Sequence, residues 1–424
     1  MTTLKRKALL GVAALAGAVA LAGCGDDSGS EGSNGAQEIT IWDMEQSAKD
    51  IPAGYQSVVK QFEKDHSGVT VKVETFPFEQ YRDKMLVAMK GGTGPDVMTL
   101  DQVWTPEFAA AGVIQPLDDF IAESDVVKEE DFFEGAWLSN QYEDKAWGVP
   151  LNFDVWEQLY YNADMFRDAG LDPDSPPTTW EEWLEVASKL NSPPDRFGIG
   201  LIGCKEETSS VLTDSFIFSN GGNILDDSGQ VAFNSPENVA AYEQYQALLE
   251  FAPNGTANAC EQEVVNPFTA GKVAMMLGGS WQQDTLETAA NFDWRIALPP
   301  APAGKEFVGA LGGWNLAVNA KSENPDLAFE LIELLSQPEN QMAVNSLTPA
   351  LKTAGEQFVN ENRKQPEVIL EALAGGLPRP ASPVYPQLSE VQQGALQEII
   401  GGAEVQPTLD DAADEMQQII DANS

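Results

Sequence analysis

Residues Glu38-Ile39-Thr40-Ile41-Trp42 alternate between polar and apolar, which sends every second side chain to one face and predicts an opening strand. Tyr55, Val58, Val59 and Phe62 then fall on one face of a helix. Val69, Val71 and Val73 alternate with Thr70, Lys72 and Glu74, the period of a second strand. Tyr81, Met85 and Met89 mark another helix, stopped at Gly91-Gly92. Asp96 to Leu100, after Gly94-Pro95, reads as a third strand. Strand–helix–strand–helix–strand at this spacing predicts a parallel sheet covered by helices.

The pattern restarts near Trp147-Gly148-Val149-Pro150, where a strand leads through Leu159-Tyr160-Tyr161. Thr179-Trp180-Glu181-Glu182 has the spacing of a capping box, ahead of Trp183, Val186, Ala187 and Leu190. Ser235-Pro236 predicts a capped helix with Tyr242, Tyr245 and Leu249 turned inward. Prolines 299, 300 and 302 interrupt the chain before a strand from Ala310 to Val318. A helix capped at Asn324-Pro325 follows, and Leu388 to Ile420 is largely amphipathic helix. No tandem repeat is visible. Roughly 390 residues of body exceed the ~250–300 that one core accommodates, so two α/β lobes with chain crossings between them are expected.

The first residues have another logic. Lys5-Arg6-Lys7 precedes the apolar run Ala8 to Gly23, too short for the ~20 residues of a membrane span but suited to a secretory signal. Cys24 directly after Leu21-Ala22-Gly23 resembles the bacterial lipobox, in which the thiol is lipid-modified; an ordinary signal peptide with a chance cysteine is the alternative. Gly25 to Gly35 is Gly/Ser-rich, acidic and without apolar anchors, the composition of a flexible tether. These features predict a signal over 1–23, a tether over 24–37, and a body exported and lipid-anchored to the outer face of the bacterial cytoplasmic membrane.

Lys plus Arg number 24 against 66 Asp plus Glu, a formal charge of −42. Such a field repels nucleic acid, anionic lipid and polyanionic substrates, and it hints at a saline habitat where salt screens self-repulsion. With Cys24 acylated, Cys204 and Cys260 remain, an even pair in an exported chain, which predicts a disulfide against two separate thiols. His66 is the sole histidine and no cysteine pair has ligand spacing, so neither a metal nor a cofactor is expected. His66 itself is expected as a solvated residue at a helix end.

Several segments together resemble the extracellular sugar-binding proteins of bacterial ABC importers, of the maltose- and trehalose-binding type. They are Gly94-Pro95-Asp96-Val97, Gly112 to Asp118, Gly148-Val149-Pro150 running into Leu159 to Phe166, and Thr179 to Trp183. Asn220-Gly221-Gly222, Phe268 to Met276, Gly279-Ser280-Trp281 and Gly312-Gly313-Trp314 continue the series in order. The resemblance implies two lobes, 38–149 with 305–348 and 150–304 with 349–424, closing over a neutral di- or oligosaccharide. It implies a monomer whose closed form docks on membrane permease subunits and which catalyses nothing itself.

A neutral sugar offers hydroxyls and flat C–H faces. Carboxylates, amides and arginine meet the first by charge-assisted hydrogen bonds, and aromatic rings cover the second. By family position Glu45, Asp101, Asn152, Asp154 and Arg379 are expected at hydroxyls, Trp281 and Trp314 at ring faces, and Gly313 beside them. Asp43 competes with Glu45, and an internal ion pair competes for Arg379. Trp104 and Trp156 are further candidates. The interval from Asp154 to Leu159 is one residue longer than in many relatives, which leaves its register open. Gly198-Ile199-Gly200-Leu201-Ile202-Gly203 has dinucleotide spacing but lacks a helix starting within it, so a structural role is expected. An exported glycoside hydrolase is the alternative from another class, since 66 acids make chance carboxylate pairs abundant. A surface lipoprotein without a transport role is a third reading.

Overall fold

The computed structural model describes residues 37–44, 51–226 and 228–423, so the signal, Cys24, Glu45 and all of the expected tether but Gln37, which opens a strand, lie outside the described residues. Strands β1 (Gln37–Met44), β2 (Val69–Phe76) and β3 (Val97–Asp101) run parallel with β1 in the middle. The helices Ile51–Asp65 and Phe78–Gly91 connect them, and the second ends where Gly92 turns left-handed at φ 73°. Tyr55, Val58 and Phe62, then Tyr81, Met85 and Met89, are buried as their spacing predicts.

Later strands change the direction of the sheet. These are β4 (Val149–Val155), β5 (Gln158–Asn162), β6 (Met275–Gly278), β7 (Trp294–Ala297), β8 (Ala310–Val318), β9 (Thr348–Pro349) and β10 (Leu377–Pro378). A seven-stranded sheet has the order β9-β4-β8-β3-β1-β2, with β10 also beside β8, and a three-stranded sheet has the order β6-β5-β7. The α/β architecture is as expected, but the expectation of mainly parallel sheets needs correction. β8 runs antiparallel to both β3 and β4, and the smaller sheet is antiparallel throughout. Antiparallel strands pair without a crossover helix, which suits a chain passing repeatedly between two sheets.

β8 organises the whole. Its residues 314–318 pair with β3, while Ala310 and Leu311 pair with β10, so β3 and β10 lie end to end along one edge. β4 occupies the other edge from Leu311↔Val155 to Leu316↔Val149. Every residue of β4 and β8 is buried, as in strands covered on both faces.

Local signals are met in varied degree. Thr179 accepts from the Glu182 amide and Glu182 reaches back to Thr179, completing the capping box. Ser235 caps Pro236–Leu248, inside which Tyr242, Tyr245 and Leu248, rather than Leu249, are fully enclosed. Asn324 precedes Pro325–Leu335 but accepts from Gln37 Nε2 at 2.9 Å instead of capping. The C-terminal amphipathic stretch is two helices, Tyr385–Ile400 and Val405–Asn423, broken where Gly402 takes φ 97°. Cys204 and Cys260 are joined in a disulfide. His66 is not simply solvated, because Glu330 lies 2.6 Å from Nε2 and Phe62 stacks on the ring.

The glycine run 198–203 has packing as its reason. A Cβ on Gly198 would lie 2.2 Å from the Ala187 carbonyl oxygen, and one on Gly203 2.7 Å from that of Thr256. No helix begins there. Gly198→Ala should therefore cost about 1–3 kcal/mol of overpacking. Urea unfolding followed by circular dichroism would register this as a lower midpoint, and an unshifted midpoint would refute the packing account.

Candidate functional site

Where β3 and β10 both stop, one guanidinium closes the edge of β8. Arg379, just past β10, donates from Nε to the Leu311 carbonyl at 3.3 Å. It also pairs with Asp101, the last residue of β3, at 2.9 Å and with Glu207 at 2.5 Å. Glu207 opens the helix Glu207–Ser219 and also accepts from the Tyr385 and Ser389 hydroxyls at 2.8 and 2.5 Å. The Arg379 side chain is 0% exposed. Burial alone would favour its neutral form; Asp101, Tyr385 and Glu207 outweigh that and raise its pKa. Burial pushes the Asp101 carboxyl above the ordinary range, Arg379 opposing and Glu207 reinforcing the rise. Of the two roles left open for Arg379, this geometry is the internal ion pair.

A second group gathers across the turn between β4 and β5. Asp154 faces Gly312 in the β4–β8 register and accepts from the Ser280 hydroxyl. The Trp156 indole lies directly over Gly312, where a Cβ would come within 2.0 Å of Nε1. Trp281 meets Trp156 edge to face, centroids 5.4 Å apart at 80°, and donates to Glu261 at 2.6 Å. Trp156 and Glu157 form the turn between the two strands, and from it the Trp156 ring reaches over β8. Among the described residues, buried Asp154 Oδ1, Trp156 Nε1 and Gln282 Oε1 have no hydrogen-bond partner. Each unmet buried group costs about 1–3 kcal/mol, a deficit that a hydroxyl-bearing ligand can relieve. Burial lifts Asp154 to about 7, with Ser280 and Arg363 pulling the other way. Near that pH the carboxyl exists in both forms, able to donate or accept.

The other expected residues take different places. Asn152 is fully buried and engaged at both ends of its amide, accepting from the Trp314 amide at 3.0 Å and donating to Asn345 at 2.6 Å. That corrects its expected place at a sugar hydroxyl: it locks β4 to β8. Gly313, at φ 154°, is glycine because a Cβ would sit 2.3 Å from the Asn152 carbonyl oxygen. Trp314 lies opposite Asp101 in the β3–β8 register and is 8% exposed. Trp104 stacks on Tyr81 at 6.4 Å. Asp43 accepts from the Tyr55 hydroxyl at 3.2 Å, and burial raises it to about 7. Sequence reasoning missed Glu207, Glu261 and Gln282. Each opens a helix, and nothing in the local sequence announces the partners of Glu207 and Glu261 or the unmet oxygen of Gln282.

Among the described residues the one converging group of metal-type side chains is Cys204, Glu206 and Cys260, whose two sulfurs form the disulfide. No helix among them is long and apolar enough to cross a membrane.

Residues 47–342 match the sequence profile of the bacterial extracellular solute-binding proteins. The galactooligosaccharide-binding protein of Bacillus subtilis is 25% identical over 415 residues, 93% of each chain. A solute-binding protein of an ABC transporter from Thermotoga lettingae, solved with α-D-tagatose, superposes with TM-score 0.77 at 30% identity, over 90% of this chain and 99% of its own. The sugar-binding protein MalE of Xanthomonas citri superposes with TM-score 0.79 at 23% identity, over 91% and 98%, which speaks to the fold.

Two consequences can be measured. Arg379→Met leaves the Asp101 and Glu207 carboxylates without their cation and should cost about 3–5 kcal/mol in denaturant unfolding; a loss within error would remove the clasp. Asp154 titrates higher folded, at about 7, than its ordinary 3.8. Its contribution to stability is thus complete below the lower value and is lost as pH rises through the upper one. Asp154→Asn should flatten part of the fall in stability between those limits, and parallel curves for both proteins would exclude that role.

Proposed function

This chain belongs to the bacterial extracellular solute-binding protein family, and from that premise we propose that it captures a neutral di- or oligosaccharide for an ABC importer. Its relatives are binding proteins rather than enzymes, which sets the glycoside hydrolase alternative aside. The observation that carries the sugar reading is the pairing of Trp156 and Trp281 beside Asp154, Ser280 and Gln282. Indole faces suit the C–H surface of a pyranose, and unmet polar atoms suit its hydroxyls. The names of relatives that bind galactooligosaccharide and tagatose support the same chemistry.

In this reading the lobes are 38–149 with 305–348 and 150–304 with 349–424, and the chain crosses between them near Gly148-Val149-Pro150, Pro302 to Lys305 and Thr348-Pro349. Sugar draws the lobes together, and the closed form docks on permease subunits as a monomer. Acylation at Cys24 holds the body at the outer face of the membrane through the 24–37 tether. Glu45, next to the end of β1, joins Trp314 and the Asp154 group as a ligand contact.

Calorimetric titration of the delipidated protein with mono- and disaccharides should find one ligand bound with one-to-one stoichiometry. Trp281→Ala and Trp314→Ala should each weaken it by about 1 kcal/mol or more, the scale of an aromatic contact beyond its buried area. Unchanged affinity in both variants would overturn the stacking assignment, and no heat with any saccharide would overturn the sugar reading.

A further inference from the structure

The far face of β8 carries a groove that the sugar reading does not use. Side chains alternate along a strand, so Gly312 and Trp314 share one face while Leu311 and Asn315 do not belong to it. Trp156 covers Gly312. On the opposite side Leu311 reaches Gly135, and Asn315 donates to the Ser139 carbonyl at 3.2 Å. There, Val103 and Pro106 after β3, Leu138 and Ser139 at the end of Glu134–Leu138, and Pro380 after β10 enclose about 190 Å³.

One polar side chain in this groove has no partner. Gln102 is 4% exposed and lines the groove, and neither its Oε1 nor its Nε2 is hydrogen-bonded among the described residues. Buried amides are satisfied as a rule, so one with both ends open points to a missing counterpart. The other polar walls are already engaged. The Ser139 hydroxyl donates to the Ala136 carbonyl at 2.6 Å, and the Arg379 guanidinium is held by Asp101 and Glu207. With its only lining charge neutralised internally, the groove gives an anion no free cation to pair with. A carboxamide offers a donor and an acceptor side by side, the complement of neighbouring hydroxyls. Proline and leucine walls match the C–H surface of the same molecule. The volume falls below the ~300–1,000 Å³ of sites for larger ligands, which limits the occupant to about one ring.

We propose that this groove is a second binding site, taking one neutral hydroxyl-bearing unit no larger than a single sugar ring, with Gln102 as its hydrogen-bonding anchor. Its lining shares no residue with the group of Asp154, Trp156, Ser280 and Trp281, so the proposal does not depend on what that group binds.

Side-chain amide NMR of the full 15N-labelled protein tests it, with glycerol and methyl α-D-glucopyranoside as probes. The Gln102 NH2 pair is assigned by its disappearance in Gln102→Leu. One probe should shift that pair saturably with millimolar affinity, along the same curve in wild type and Trp281→Ala. Gln102→Leu should meanwhile unfold at or above the wild-type midpoint and keep the cleft affinity. A pair that fails to shift with either probe overturns the second site. A shift abolished by Trp281→Ala also overturns it, because the amide would then be reporting on the cleft. Failure of the sugar reading would show separately, as absence of saccharide heats in wild type.

Discussion

The structure depends on one strand shared by partners that end at its middle. β8 holds β4 along one edge, and along the other the C-terminal ends of β3 and β10 face each other across a gap. A gap in a ladder leaves backbone groups without partners. Arg379 fills this one, bonding the Leu311 carbonyl and tying the end of β3 to the helix that begins at Glu207. Five donors in a planar fork allow one side chain to satisfy a carbonyl and two carboxylates together. Lysine, with a compact ammonium, lacks that geometry.

An acidic chain makes this choice costly elsewhere. With few cations to spend, several carboxyls are buried away from a compensating charge. Burial raises Asp43 and Asp154 to about 7 and Asp214 to about 8, and it holds Glu157 well above the usual range. Hydroxyls and amides serve them instead. Ser215 bonds Glu157 while accepting from the Ala310 amide at 2.8 Å, and Gln392 donates to Asp214 at 2.7 Å. Carboxyls that retain a proton near neutrality can donate as well as accept, which suits contact with hydroxyls more than contact with anions.

Much of the fold was legible because its signals are local. The alternation at Ile39 and Ile41, the one-sided helix at Tyr55, Val58 and Phe62, and the Thr179–Glu182 box each concern neighbours within a few residues. Family spacing singled out Asp101, which ends β3, Trp281, which follows β6, and Trp314, which lies within β8. It did not reveal that Asn152 would be consumed by Trp314 and Asn345, or that the turn after β4 would lay Trp156 over Gly312.

From the order of residues alone came the α/β class, the strongly acidic charge, the place of most elements and the types of side chain offered to a ligand. Those follow from periodicity, composition and charge, which act over one or two turns of chain or over the whole surface. Tertiary structure decided strand direction, the clasp at Arg379, the open amide of Gln102 and which polar atoms are left unmet. Each of those is a meeting of residues far apart in sequence, as with Asp101, Glu207 and Arg379. Hydrogen-bonding capacity is a property of a residue; whether it is filled depends on what the fold sets beside it.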